Sequence, residues 1–202
     1  MRGMWNVPDK LCAMKREILR WKPDVLALQE CPGDRVCDAV PDGMDLIGSV
    51  ECHAEGCYTQ LYCRSDWKMR AVQLPAGTPA VAGVETVNGI EVLFVSAHLF
   101  PYPENAAKRA EEVSQILAKR DGRTIVLMGD LNVRYEEIKP LCEDHGLRAM
   151  PCSSATWNAS SNKFYPDQEK RRDKHYYDQI WTSGSLWVEG HMACACKEYR
   201  SG

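Results

Sequence analysis

One stretch constrains the fold more than any other: Thr124-Ile-Val-Leu-Met-Gly-Asp-Leu-Asn-Val133. Thr124 to Met128 is apolar, rich in β-branched residues and free of alternation, which predicts a strand covered on both faces. Gly129 lets the backbone turn. Asp130 and Asn132 follow two positions apart, so extended backbone would aim both side chains the same way. A carboxylate beside a carboxamide suits a site that holds a hard cation and a phosphate. The carboxylate orients a water or ligates the metal, and the amide donates to a phosphate oxygen without adding charge. Gly-Asp-Leu-Asn is equally good turn chemistry after any strand, so both readings stand at this point.

The elements on either side alternate between helix and strand. Leu11, Met14, Ile18 and Trp21 sit at helical spacing with Lys and Arg between them, predicting an amphipathic helix that Pro23 stops. Pro23 to Glu30 then reads as a buried strand ending in Gln29 and Glu30. Glu30 is a candidate metal ligand, or else a charged residue ending a strand at the surface. Leu46–Val50, Thr59–Cys63 and Lys68–Gln73 read as short strands. Asn88-Gly89 between Val84–Val87 and Ile90–Val95 is the strongest local hairpin signal, and its second strand delivers His98 at its exit. Glu104 to Arg120 is a predicted helix with Ala107, Ala110, Val113 or Ser114, and Leu117 on its apolar face. Tyr135 to His145 is a second helix, interrupted by Pro140. The polar stretch from Pro151 to Asp173 reads as a long loop, of the kind that usually serves function. Trp157 and the aromatics Phe164 and Tyr165 within it either tuck into the core edge or line a substrate groove. Tyr176 to Trp181 is a strand interrupted by Asp178, a buried aspartate in need of a partner, often a histidine that it orients. Trp187 to Met192 reads as one further strand.

This helix–strand alternation defines an α/β class. With 202 residues, 45% of them hydrophobic, a single domain over 1–202 with a substantial core is expected. The net charge of −3 and the lack of a basic run beyond Lys170-Arg171-Arg172 argue against tight non-specific binding to duplex nucleic acid. The ten cysteines form no C-x-x-C pair and read as free thiols. Together with the absence of a signal-like or membrane-spanning segment, they predict a cytoplasmic or nuclear protein.

Four segments, Pro23-Asp-Val-Leu-Ala-Leu-Gln-Glu30, Ser96-Ala-His-Leu99, Met128-Gly-Asp-Leu-Asn132 and Tyr177-Asp-Gln-Ile-Trp181, resemble in order and spacing the endonuclease/exonuclease/phosphatase superfamily, the deoxyribonuclease I fold. The resemblance implies a four-layered α/β sandwich, two packed mixed β-sheets flanked by helices, with the site where strand ends converge. It implies metal-dependent hydrolysis of a phosphodiester or phosphomonoester. Glu30 would be the ligand for Mg²⁺ or Mn²⁺, Asp130 would position or deprotonate the attacking water, and Asn132 would bind phosphate. His98 would contact the scissile phosphate, and Asp178 would orient a catalytic histidine. The Ala155-Thr-Trp-Asn158 loop and the helix carrying Arg109-Ala-Glu-Glu-Val113 are most similar to the tyrosyl-DNA phosphodiesterase 2-type branch. That places Trp157 and Asn158 in substrate binding and nucleic-acid ends, DNA or RNA, as the substrate.

The family also opens with a strand ending in a metal-holding asparagine, a part for which Asn6 is the stand-in, and closes with a Ser-Asp-His segment that nothing after Asp178 matches. The sequence therefore reads as a domain trimmed at both ends, incomplete in its terminal strands, monomeric, and impaired in turnover as it stands. The competing readings are a phospholipid or phosphoinositide phosphoesterase, and an inactive remnant serving as an interaction module.

Overall fold

The Asn88-Gly89 hairpin is built as its sequence requires. Asn88 (φ 51°) and Gly89 (φ 80°) both take left-handed backbone, the geometry of the tight turn that joins twisted strands. It connects strands running over Ala80–Val87 and Ile90–His98, in register from Val87↔Ile90 to Ala80↔Ala97. The computed structural model describes residues 8–53, 55–152, 156–158 and 174–184. The elements in chain order are α1 (Pro8–Trp21), β1 (Val25–Cys31), β2 (Met44–Glu51), β3 (Tyr58–Arg64), β4 (Arg70–Val72), β5 (Ala80–Val87) and β6 (Ile90–His98). There follow α2 (Ala106–Leu117), β7 (Thr124–Asp130), α3 (Tyr135–His145), β8 (Arg148–Ala149), β9 (Trp157–Asn158), β10 (Lys174–His175) and β11 (Asp178–Thr182). The predicted strand 187–192 and Asn6 lie outside the described residues.

The strands form two main sheets. One is three-stranded and antiparallel, in the order β1-β3-β2. The other is six-stranded and mixed, in the order β4-β5-β6-β7-β11-β8, with β6 and β7 parallel and joined through α2. Strand parity decides which side chains lie between the sheets. Val92 and Phe94 of β6, Val126 and Met128 of β7, and Ile180 of β11 face Leu61, Val25 and Ile47 across the gap. The alternate residues Leu93, Val95, Ala97, Ile125, Leu127 and Trp181 face outward onto Val113, Ile116 and Leu141 of α2 and α3. On the far side, Leu11 and Met14 of α1 cover Leu26, Leu28 and Tyr62 of the smaller sheet. Helix, sheet, sheet, helix make the four layers of the expected sandwich, and the unalternating run of β7 is explained by cover on both faces.

Three expectations need correction. Pro140 does not interrupt α3, because it lies on the exposed side of a continuous helix that ends at Gly146 in left-handed conformation (φ 61°). The predicted helix 104–120 is shorter, preceded by a 3-10 turn at Pro103–Asn105. The buried face of α2 also includes two charged residues, Arg109 and Glu112, along with Val113 and Ile116.

Arg109 is fully buried and works as a clamp. Its Nε and Nη2 donate to Glu137 of α3 at 2.9 and 2.7 Å, and its Nη1 donates to the carbonyls of Phe100 and Tyr102 at 3.0 and 2.6 Å. One guanidinium thus ties the segment leaving β6 to the helix following β7. Arg109→Met leaves Glu137 half-buried without its counter-charge and two carbonyls unmet. It is expected to lower stability by about 3–5 kcal/mol in denaturant titration. A loss under about 1 kcal/mol would show that the clamp is dispensable.

Candidate active site

Strand register assembles most of the site. His98 pairs with Asp130 across β6 and β7, and Asp130 pairs with Asp178 across β7 and β11. The three side chains therefore form one row on the inner face of the larger sheet, at its rim, continuing the parity of Phe94, Met128 and Ile180. Closer to the core, Gly129 sits between Ala97 and Gln179 with φ 136°, so close to its neighbours that an added Cβ would fall 2.1 Å from the Ala97 carbonyl oxygen.

Glu30 reaches the row by a different route. Val25 faces the inter-sheet core while Leu26 and Leu28 face α1. Plain alternation would send Glu30 toward α1 as well. Instead the β1–β3 register shifts between Leu28 and Cys31, and Glu30 takes left-handed backbone (φ 57°). This bulge turns Glu30 back toward the row and returns Cys31 to the outer core. Gln29 keeps its inward aim, its Nε2 donating to Ser96 Oγ at 3.1 Å, a tie between the two sheets just below the site.

The electrostatics bear out the convergence. Burial pushes the Asp130 carboxyl up to about 8, and the carboxylates of Asp178 and Glu30 add to the shift. Glu30 is raised by burial and by Asp178, and Asp178 by its own burial against an opposing hydrogen bond from Thr156. His98 is pulled down to about 4 by burial and by the neighbouring His53. His98 Nε2 and Asp130 Oδ2 stand 3.8 Å apart, which suggests an ion pair, but these shifts make it a contact between a neutral ring and a protonated carboxyl near pH 7. His98 Nδ1 is buried and has no hydrogen-bond partner among the described residues.

Asn132 departs from expectation. It is not on extended backbone but at φ 50°, with its N–H on Asp130 Oδ1 at 3.1 Å and its Nδ2 on the Leu99 carbonyl at 2.9 Å. The turn reading of Gly-Asp-Leu-Asn is thus realised together with the site reading, and the turn is what holds the amide beside the row. Asp178 begins its strand instead of interrupting it. Among the described residues its carboxylate is met by the Thr156 hydroxyl, and no histidine reaches it. His175 stacks on Tyr177 at 4.7 Å. The backbones of Trp157 and Asn158 form β9 against β10, close in sequence to Thr156, while their side chains lie outside the described residues.

Sequence reasoning missed His53, from the β2–β3 connection, whose ring centroid lies 6.2 Å from that of His98. No local pattern marks it. It also missed Thr156 as the partner of Asp178.

The donor set fits a hard divalent cation. Glu30, Asp130 and Asp178 offer only oxygen and destabilise one another's charge, and among the described residues no lysine or arginine neutralises them. Among the described residues no three His, Cys, Asp or Glu side chains already close on one point.

Comparison with known proteins places this geometry. No family model matches the chain, and no curated protein matches it. Solved structures do, and they define the class: the chain has the fold of the endonuclease/exonuclease/phosphatase proteins. Among the most similar is truncated TDP2 of Caenorhabditis elegans, at a TM-score of 0.62 and 19% identity over 92% of this chain and 82% of that one. D. rerio TDP2 complexed with a single-strand DNA product gives 0.66 and 16% over 92% and 80%. The human Nocturnin catalytic domain with bound sulfate gives 0.58 and 15% over 87% and 75%.

Proposed function

We propose that this chain is a divalent-metal-dependent phosphoesterase hydrolysing phosphodiester bonds at nucleic-acid ends. The observation that carries the reading is the row His98–Asp130–Asp178 in strand register, with Glu30 turned onto it by a bulge. Glu30, with water, would hold Mg²⁺ or Mn²⁺, and the cation would neutralise charge developing on the phosphate oxygens. Asp130 orients the attacking water and takes its proton as the new P–O bond forms and the bond to the leaving oxygen breaks. A carboxylate whose proton affinity is raised is a better base once ionised. His98 donates to a non-bridging phosphate oxygen, and Asn132 offers the amide N–H not spent on Leu99. Asp178, anchored by Thr156, contributes the negative charge that keeps Asp130 basic. Trp157 and Asn158, on β9, are the proposed contacts to the substrate beyond the phosphate.

The nucleic-acid assignment is supported by the likeness to TDP2, one structure of which holds a single-strand DNA product. A second reading, a small or lipid-borne phosphate headgroup, is favoured by the net charge of −3. Six of the described cysteines, Cys12, Cys31, Cys37, Cys57, Cys63 and Cys142, are free thiols, which supports a reducing compartment, cytoplasm or nucleus. Among the described residues no helix is long and apolar enough to cross a membrane.

The test uses bis-p-nitrophenyl phosphate, a single-stranded oligonucleotide with an aryl-blocked 5′ phosphate, and a soluble phosphoinositide headgroup. Hydrolysis is expected to require Mg²⁺ or Mn²⁺. Glu30→Gln is expected to lower it about 100-fold at fixed metal and to recover in part as metal is raised. Activity without metal, or a Glu30→Gln protein equal to wild type, overturns the proposal. Preference for the headgroup moves the substrate assignment to the second reading.

A further inference from the structure

His53 is held where nothing in the hydrolase reading requires a residue. The β2–β3 connection closes on itself through Cys52 N–H to the Cys57 carbonyl and Gly56 N–H to Glu51 Oε1, both at 2.8 Å. From this tight turn the His53 ring leaves the smaller sheet and lands on the larger one. Its backbone is open to solvent, but its side chain is only 17% exposed. Its Nε2 lies 3.5 Å from Glu112 Oε1 on α2, and its ring packs edge-on against Phe100 at 4.4 Å. Its ring also lies edge-on to that of His98, with centroids 6.2 Å apart. Glu112 in turn accepts from the Phe100 N–H at 2.9 Å, and Lys108 Nζ lies 3.5 Å from the centre of the Phe100 ring.

We propose that His53 is a positioning residue for His98: braced by Glu112, it holds the end of β6 and so fixes the His98 ring against Asp130. The proposal rests on the phosphoesterase reading above. Packing alone would be served by an apolar side chain at this junction. The buried Glu112 and the largely covered His53 ring cost free energy unless they are paired. One proton shared between Glu112 and His53 satisfies the arrangement. Either an imidazolium faces a carboxylate, or a neutral ring accepts from a protonated Glu112. Without that proton a nitrogen lone pair would face a carboxylate. The link to His98 is one of packing: the two rings meet edge to face, with their planes 69° apart.

The test combines kinetics with histidine-ring NMR on the whole chain. His53→Ala is expected to reduce kcat on bis-p-nitrophenyl phosphate roughly 10–100-fold with KM little changed. His53→Gln, whose planar amide can still pack against Phe100 and face Glu112, is expected to recover part of that loss. Independently of turnover, at one fixed pH the ring resonances of His98 are expected to shift and broaden in His53→Ala and to return toward their wild-type positions in His53→Gln. Wild-type kcat together with unmoved His98 ring resonances overturns the proposal, as does a kcat loss that Gln does not relieve while those resonances stay in place. If the Ala variant does not fold, the near-isosteric His53→Gln alone decides through the His98 resonances. If wild type hydrolyses nothing, the phosphoesterase reading fails, and the His98 resonances still decide whether His53 holds that ring.

Discussion

Asp130→Asn is expected to reduce phosphodiester hydrolysis by about three orders of magnitude and, in the metal-free protein, to raise stability. The two effects share one cause. Asp130 is buried beside two other carboxylates, and its proton affinity is raised from the ordinary 3.8 to about 8. A folded-state value above the unfolded one favours folding fully at pH below about 4, and that contribution is lost as pH climbs through about 8. Wild type without metal should therefore weaken from mildly acidic to alkaline conditions, while the amide, which cannot ionise, removes this slope. At about pH 9 the gain is expected to be on the order of 2 kcal/mol, roughly 4–8 °C in thermal midpoint, and to shrink toward pH 5. Mg²⁺ should raise the wild-type midpoint near pH 8 more than that of the variant. A variant less stable than wild type at alkaline pH would show that Asp130 is not held among like charges.

Gly129→Ala is expected to be the most damaging small substitution in the chain. The new methyl would lie 2.1 Å from the Ala97 carbonyl oxygen and 2.8 Å from Gln29 Nε2, at a φ of 136° that L-residues avoid. The clash is with backbone in the parallel ladder between β6 and β7, so relief means parting the strands that carry His98 and Asp130. A loss of at least about 4 kcal/mol is expected in urea titration, with activity lost even where some protein folds. Gly83→Ala is the control. Its methyl would also fall under 3 Å from a neighbour, but that neighbour is the flexible Met69 side chain, which can move aside. Equal losses for the two would remove backbone contact as the explanation.

What was legible in the sequence follows from the range of the forces involved. The Asn88-Gly89 turn, the apolar run of β7 and the periodicity of α1 are local, and each formed within a few residues of where pattern placed it. His98 and Asp130 were legible as strand-end residues and Asp178 as a buried aspartate within a strand, but their alignment in one row is a matter of register between strands distant in sequence. The inward turn of Glu30 was hidden altogether, because a bulge is set by pairing with β3 and leaves no mark on alternation. The buried face of α2 was misjudged because Arg109 and Glu112 look like solvent residues until Glu137 and His53 arrive to meet them. For Asn132 the sequence left extended backbone and a turn both open, and its side chain and N–H close the turn.

The extra residue in β1 makes the rim sensitive to chain length in a way that its sheet is not. Losing one codon between Val25 and Gln29 would leave a strand able to pair with β3. Glu30 would then drop into the place of Gln29, and the thiol of Cys31 would swing into the opening. A soft sulfur donor would stand where a hard oxygen had been, and thiolate suits zinc-like ions where carboxylate suits alkaline-earth ones.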